Sequence, residues 1–544
     1  MQCNECSAEF EYYLGEKELY KKQGIPLPLN CSECRQKRRM VFRNERSLYY
    51  NKSFKSGKKI ITIYSEGGPF KIIDQDEWWD DSFEAEIYGR DFDFSRPFFE
   101  QFKDLQLKVP RWARQHLNCE NAEFTNNCAN VKNSYLDFSC NDCDEIYYCM
   151  KVYGSNNCLD SMWLYDSQYC CECVQSHNCY NVHYSQLSED CRDSYFLFDC
   201  SSCHDCILCA GIKNGQYMIL NQKYSKENYE KQKDVFLKTL YADKKQLVVL
   251  LDQLKQKVVH KNVHNLSVEN CTGDFVSNSK GVTNGFNIIN CEDCVDAYNS
   301  SKLKNCYGAY CSDVGELCID CDTNYDLYEC TFCTYVVSCK NSHYCDQCFY
   351  IKNCFGCVGL KHREYMIFNK QYTKEEYDSL VPKIIEHMEK VGEWGLPFTA
   401  TLSSFAYNET VAQDSYPLTK EQALSRGYRW YEPKEEAKYF GTIYEIPNNS
   451  EEIDKTICDK ILTCEVTNKN YKIIPQEFDF YKKFNIPVPR RCPEQRYRDL
   501  LALQNPTKLN DVICADCQKF IKTTYPQGTS LKILCEECYL KQKY

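Results

Sequence analysis

Eight cysteines fall into two sets whose type and spacing suit metal chemistry. Cys3-x-x-Cys6 and Cys31-x-x-Cys34 lie 24 residues apart, and Cys514-x-x-Cys517 and Cys535-x-x-Cys538 lie 17 apart. Four soft ligands on two tight turns are what a closed tetrahedral Zn2+ site requires, and a full thiolate shell leaves no position open for an activated water. Units this small need such a staple, because they bury too little apolar surface alone. The expected cofactor is structural Zn2+, about two ions per chain, and more if the central cysteine pairs also bind metal.

The elements that must position these ligands occur twice. An offset of 461 residues carries Cys3, Cys6, Cys31 and Cys34 onto Cys464, Thr467, Cys492 and Gln495, and Ile25-Pro-Leu-Pro28 onto Ile486-Pro-Val-Pro489. The same offset places Cys514, Cys517, Cys535 and Cys538 over Ser53, Ser56, Asp74 and Glu77. Each terminal module therefore reads as two zinc-finger units, one with four thiols and one that has lost some or all of them. Cys464 and Cys492 are expected to bind nothing, with Cys458 the nearest thiol that might join them. The segment from Arg35 to Arg46 lacks Gly and Pro and reads as a helix opening at Cys34, the treble-clef plan. Residues 519–524 and 531–534 read as two strands around Pro526, closer to a zinc ribbon. Arg35, Lys37, Arg38, Arg39, Arg43 and Arg46 on that basic helix are the candidate contacts to phosphates, since Arg holds phosphate bidentately. The alternative is that they balance the charge of the tetrathiolate and otherwise face water.

Between the modules cysteine is used differently. Cys128, Cys149, Cys170 and Cys191 are spaced by 21 residues, as are Cys158, Cys179 and Cys200. A fixed period near 20 predicts a solenoid, with Ser134–Phe138, Ser161–Tyr165 and Ser194–Phe198 as strands and the cysteines as ladders in a narrow core. An offset of 148 maps Cys170, Cys191, Cys200, Cys206 and Cys209 onto Cys318, Cys339, Cys348, Cys354 and Cys357, making a second array. The Cys-x-x-Cys pairs Cys140/Cys143 and Cys291/Cys294, and the run Cys200, Cys203, Cys206 and Cys209, admit core ladders, extra metal sites or disulfides. A helix follows each array. Ser225 starts the first, with Phe236, Leu240, Leu247, Leu251, Leu254 and Val258 as its apolar stripe, and Thr373-Lys-Glu-Glu376 is a capping box for the second. The helices are expected to lie against or cap the coils. No catalytic residues emerge: His177, His183, His204 and His343 have no recurring partner of the kind a Cys-His nucleophile needs. Many of the 43 tyrosines fall in the arrays, where outward ones suit stacking on bases, sugars or a protein, and inward ones suit ladders.

At 544 residues the chain has room for three or four domains. Composition divides it into a zinc module at 1–80, an aromatic and acidic junction at 81–118, a first array at 119–224, a helix at 225–262, a second array at 263–370, a helix and linker at 371–457, and a second zinc module at 458–544. Residues 433–455, rich in Glu, Lys, Pro and Asn, read as the most flexible connection. The net charge of −11 argues against coating nucleic acid over the whole surface, yet residues 35–60 carry ten Lys or Arg against the single acid Glu45. Met1-Gln-Cys-Asn-Glu-Cys6 has neither the basic nor the apolar region of a secretion signal, and no apolar run is long enough to span a bilayer. The expectation is a reducing cytoplasm, no membrane partner, and thiols rather than disulfides.

Cys3-x-x-Cys6, Phe10, Tyr20, Pro28 and Cys31-Ser-Glu-Cys-Arg35, taken with the closing Cys535-Glu-Glu-Cys-Tyr539, resemble the multi-zinc-ribbon proteins of treble-clef type frequent in candidate-phyla bacteria. The resemblance spans about 40 residues at each end and implies zinc binding, with no activity attached; Thr467 and Gln495 depart from its ligand pattern. The sequence as a whole predicts a mainly β protein, with cysteine-rich β-solenoid arrays and capping helices flanked by treble-clef and zinc-ribbon modules. Its expected role is a non-enzymatic zinc-binding scaffold that recognises RNA or a ribonucleoprotein through helix 35–46. A protein–protein assembly module using the aromatic face, and a thiol redox enzyme, are the alternatives; the oligomeric state is open.

Overall fold

A computed structural model describes the chain except residues 14, 23, 302–318, 320–323, 326–335, 434–442, 449–451 and 544. Cys318, and much of the connection at 433–455, lie outside the described residues. The chain is rich in sheet with some helices, and a group of four cysteines sits near each end. No described helix is long and apolar enough to cross a membrane.

Most pairing is parallel and advances twelve residues at each step. Met150, Met162, Val174, Gln186, Phe198 and Ala210 form one column of partners. Glu120, Lys132, Asp144, Asn156, Gln168, Tyr180, Arg192, His204 and Gln216 form another. After residue 263 the same step joins Asp274, Phe286 and Tyr298. The 21-residue cysteine spacing is therefore not the strand repeat, which corrects that reading. The smaller unit is three residues. Every third residue from Cys128 to Cys209 is buried, none more than 5% exposed, and these positions hold Cys, Ser, Val, Leu, Ile and one Asp. Twenty-one is seven such steps, so cysteines at that spacing all point inward without being stacked neighbours.

Backbone geometry explains the triplet. From Asn127 to Leu220 the residue before each inward position has φ between +45° and +68°. None of these residues is β-branched or proline, the types least able to hold that conformation, and Asn and Asp recur among them. Their amides bond up the stack, Asn130 to Asp142 at 2.8 Å and Asn181 to Asp193 at 2.6 Å. The inward side chains add a second bond to carbonyls that already accept a backbone amide, as Asn141 O does from Gly154 N at 3.1 Å and Glu189 O from Ser202 N at 2.9 Å. Cys143 Sγ donates to the carbonyls of Asn141 and Val152 at 3.1 and 3.4 Å, and Cys191 Sγ to those of Glu189 and Cys200 at 3.2 and 3.5 Å. Ser155 Oγ donates to Tyr153 O at 2.9 Å and accepts from Ser167 N at 3.1 Å. A short side chain with one weak donor fits this position, which accounts for the abundance of Cys and Ser.

The helix after the first array is two helices, Lys226–Ala242 and Lys244–Lys255, capped by Ser225 and Asp243. Phe236, Leu240, Leu247 and Leu251 are buried, in a cluster with Phe196, Ile207 and Leu208 of the strands. The capping box of Thr373 and Glu376 forms both of its hydrogen bonds at the head of Lys374–Lys390. Trp78, Phe98 and Phe102, all fully buried, pack in one core with Phe349, Phe355 and Phe368.

Each terminal module touches the array next to it, as where Asn126 donates to Asn44 O at 3.2 Å and Thr524 to Asp274 at 2.7 Å, and also docks crosswise on the array nearer the opposite end. Near the N-terminus, Arg39 reaches Asp296 at 3.3 Å and Ser32 also bonds that carboxylate, while Trp78 lies edge-on to Phe349 at 5.2 Å. Near the C-terminus, Arg496 pairs with Asp160, Tyr148 donates to Glu477 at 3.0 Å and Tyr539 to Asp199 at 2.6 Å. Each ribbon-like unit also adds a strand to the segment leading into an array: Ile72–Ile73 runs parallel to Arg111–Trp112, and Lys532–Leu534 to Val259–Lys261. The two ends meet where Glu494 accepts from Arg46 at 3.1 Å and the Arg46 guanidinium covers the Tyr497 ring at 3.3 Å.

Candidate metal centres

The first pair of each intact quartet sits on a tight knuckle. Cys3 N donates to Ala8 O and Ser7 N to Cys3 O, both at 2.9 Å; Cys514 N donates to Lys519 O at 2.9 Å and Gln518 N to Cys514 O at 3.1 Å. Ser7 and Gln518 close the turns with φ of +60° and +61°. The second pair opens a helix: Cys31 is the N-cap of Ser32–Met40, which contains Cys34, and Cys535 immediately precedes Glu536–Lys543, which contains Cys538. Within each quartet all four sulfurs lie within 4.8 Å of one another, and among the described residues these are the only two groups of three or more potential ligands that do so.

The dimensions fit a bound ion. Thiolates about 2.3 Å from a tetrahedral zinc lie about 3.8 Å apart; Cys6 and Cys31 are separated by 3.8 Å, as are Cys517 and Cys535. Backbone amides prepare the negative sulfurs: Cys31 N donates to Cys3 Sγ and Cys535 N to Cys514 Sγ, each at 3.3 Å. Burial alone would raise the Cys3 thiol, but the amides of Cys31, Cys6 and Glu5 outweigh it and bring it down to about 6. Cys514 is likewise lowered to about 6, against burial, by the amides of Cys535, Asp516 and Cys517. Burial pushes Cys31 up to about 11 and Cys34 and Cys538 up as well, so without an ion several of the clustered thiols keep their protons.

The two copies without full quartets keep the turns and replace the metal with hydrogen bonds. Asp74 N donates to Ser53 Oγ at 3.2 Å, the counterpart of Cys535 N to Cys514 Sγ, and Ser53 Oγ bonds Glu77. In the other copy Cys464 N donates to Lys469 O at 2.9 Å, and Thr467 Oγ1 lies 3.7 Å from Cys492 Sγ. Gln495 turns to Asp499 at 2.8 Å, and Cys458 joins no ligand group. A second conserved arrangement escaped the sequence comparison. Arg35 pairs with Glu16 at 2.7 Å, and their counterparts Arg496 and Glu477 pair at 2.8 Å, all four buried. The offset of 461 maps one pair onto the other, so the signal was present in Glu16 and Glu477.

The six basic residues expected to meet phosphate are turned into the protein. The helix ends at Met40 rather than Arg46. Arg35 meets Glu16; Lys37 pairs with Glu5; Arg39 meets Asp296; Arg43 meets Glu45 at 2.7 Å. Arg35, Lys37, Arg39 and Arg43 are buried. Arg38 donates to Phe398 O at 3.4 Å, and Arg46 is held by Glu494 and Tyr497. Arg35, Lys37 and Arg43 pair inside the module while Arg38, Arg39 and Arg46 dock it, which corrects their placement as an outward basic face. The central Cys-x-x-Cys pairs are likewise explained by the inward triplet step: Cys200, Cys203, Cys206 and Cys209 occupy four successive inward positions, and each donates to the carbonyl two residues before it.

Comparison of the chain with protein-family models finds no match, and comparison with curated proteins finds none either. The two tetrathiol groups are consistent with zinc-ribbon-like modules on their geometry alone.

Proposed function

We propose that this chain is a zinc-stapled scaffold that acts by holding a macromolecule. In this reading the twelve-residue parallel step and its four inward triplets wind two four-sided β-solenoid stacks, and the terminal modules, each stapled by one Zn2+, clasp the stack nearer the opposite end. The observation that carries it is the pair of quartets with sulfur spacings of 3.8 Å, set in modules that dock crosswise. Closed tetrathiolate shells favour a structural ion over catalysis. Elemental analysis of protein purified without chelator tests it: about two zinc per chain is expected, and four or more would make the central cysteines ligands and overturn the stacked-thiol core.

The favoured partner is RNA or a ribonucleoprotein, reached through a surface other than helix 35–46. A second reading, protein–protein assembly, has its own observation: Ile513 and Phe520, opposite each other on the C-terminal hairpin, are 51% and 84% exposed. Salt separates the two, since phosphate binding weakens steeply as salt rises and an apolar interface does not.

A further inference from the structure

The hairpin of the N-terminal ribbon copy carries an unbalanced local charge. Its strands Tyr49–Lys52 and Lys59–Thr62 pair Lys52 directly with Lys59, and Tyr50 with Ile61 on the same face. Like charges opposite each other on a hairpin are unfavourable, and a rule broken locally without compensation points to a role. Lys55 and Lys58 meet Asp80 and Asp74 at 3.7 and 3.8 Å. Among the described residues no carboxylate is within ion-pair distance of Lys52, Lys59 or Lys71; instead Lys59 lies over the Tyr50 ring at 3.8 Å and Lys71 over Phe54 at 4.7 Å. Tyr50 and Phe54 are themselves about half exposed, at 52% and 54%.

From Tyr50 a file of rings leads away along the first array. Tyr50 meets Phe124 edge to face at 6.0 Å, Phe124 meets Tyr135 at 5.4 Å, and Tyr135 meets Tyr148 at 5.8 Å. Phe124, Tyr135 and Tyr148 are partly exposed. The file ends in a cavity of about 380 Å³ whose walls include Tyr135, Tyr148 and Tyr471 together with Arg46, Lys469 and Lys472. The homologous hairpin at the other end is an internal control. It keeps its four thiols but has Asp511, Ile513, Ala515 and Phe520 where this one has Tyr50, Lys52, Phe54 and Lys59.

We propose that this face is a track for single-stranded nucleic acid, with phosphates on Lys52, Lys59 and Lys71, bases against Tyr50, Phe54 and the file through Phe124 and Tyr135, and one end of the strand at the cavity. Lysines beside half-exposed rings are the combination that binds a single strand without reading its sequence. The inference rests on the recognition reading above and supplies the surface that helix 35–46 does not.

Fluorescence anisotropy of metal-loaded protein with labelled oligouridylate and oligothymidylate of equal length tests it. The expected result is binding to at least one of them, whose affinity falls about twentyfold for a fourfold rise in salt, as neutralising three phosphates of a single strand requires. If only the oligouridylate binds, the strand is RNA; if both bind, the track is indifferent to the sugar. Lys52→Glu/Lys59→Glu is expected to weaken binding at least tenfold and to flatten the salt dependence, and Phe124→Ala to weaken it about tenfold by removing one stacking ring. Lys522→Glu on the C-terminal hairpin is expected to leave binding unchanged. Equal metal content and melting temperature certify that the variants are folded. Failure of the parent to bind either oligonucleotide at low salt, or full binding by the Lys52/Lys59 variant, overturns the track. Chelation tests the staple separately: metal removal that leaves the melting temperature unchanged would refute the zinc staple and leave the track standing.

Discussion

Replacing Arg496 by Met isolates what holds together the C-terminal copy that lacks a full quartet. Its guanidinium is buried against Asp160, Glu477 at 2.8 Å and the Tyr481 hydroxyl at 3.0 Å, and both carboxylates are buried too. Removing one member of a buried ionic group strands the other charges, at a cost of about 3–5 kcal/mol. The loss has a pH signature. Burial, only partly opposed by Arg496, raises Asp160 to about 7 from its usual 3.8. A carboxyl raised on folding keeps a proton that the unfolded chain gives up, so its contribution to stability declines as pH climbs from the unfolded to the folded value, by up to about 1.4 kcal/mol per pH unit. Without the guanidinium, burial acts on Asp160 unopposed. The deficit of Arg496→Met relative to the parent is therefore largest near pH 8, about 4 kcal/mol, and falls by about 1.4 kcal/mol by pH 5, where Asp160 is protonated in both proteins. Hydrogen exchange read on peptides spanning 475–502 measures the local opening free energy in both proteins, and other titrating groups cancel in the difference. A deficit below about 1 kcal/mol at both pH values, or one that grows on acidification, would refute the reasoning.

Other substitutions probe other links. Cys517→Ala is expected to remove one metal ion per chain and Cys464→Ala none, by elemental analysis of each purified variant. His183, buried among Tyr184, Tyr195 and Phe484, is lowered by that burial to about 3. Such a histidine costs stability as pH falls below its unfolded value near 6.5, so His183→Phe is expected to spare about 2 kcal/mol of the loss between pH 7 and 5, read from denaturant midpoints. Cys200 Sγ donates to Phe198 O and Cys209 O at 3.4 and 3.5 Å, and Phe198 O also accepts from Gly211 N at 2.8 Å, so Cys200→Ser should cost less than Cys200→Val, which loses only the side-chain hydrogen bond, worth about 0.5–1.5 kcal/mol, by thermal melting. Gly273 has φ +139°, and an added Cβ would stand 1.8 Å from Gly285 O, so Gly273→Ala is expected to loosen the start of the second array, seen as faster exchange at 273–289.

What was legible in the sequence followed from local chemistry. The knuckles could be read because a tetrathiolate site needs four ligands in fixed pairs, and Thr467 and Gln495 announced their loss. The capping box at Thr373 could be read because its two hydrogen bonds are made within four residues. The twelve-residue strand step could not be sized from cysteines alone, because only some inward positions hold Cys. Residues such as Ser134, Val152, Leu164 and Ser185 hold others, and the class they share is visible only once triplets are aligned. The direction of the basic helix was hidden for a different reason. Arg39 and Arg43 look like a surface stripe until Asp296, 257 residues away from Arg39, and the buried Glu45 are seen to receive them. An ion pair across the first separation leaves no periodic trace, and Glu45, two residues from Arg43, shows its role only through its burial.

Crosswise docking also bears on how the molecule is made. Ser32 and Arg39 close on Asp296, so this part of the N-terminal module finds its seat only after more than 250 further residues have followed. At about 5–20 residues per second that is a wait of roughly 13–50 s. During this interval the Cys3 quartet must hold its own shape while Arg35 keeps Glu16, and the basic segment waits exposed. A staple that closes locally, before Asp296 exists, suits a module made so far ahead of its seat.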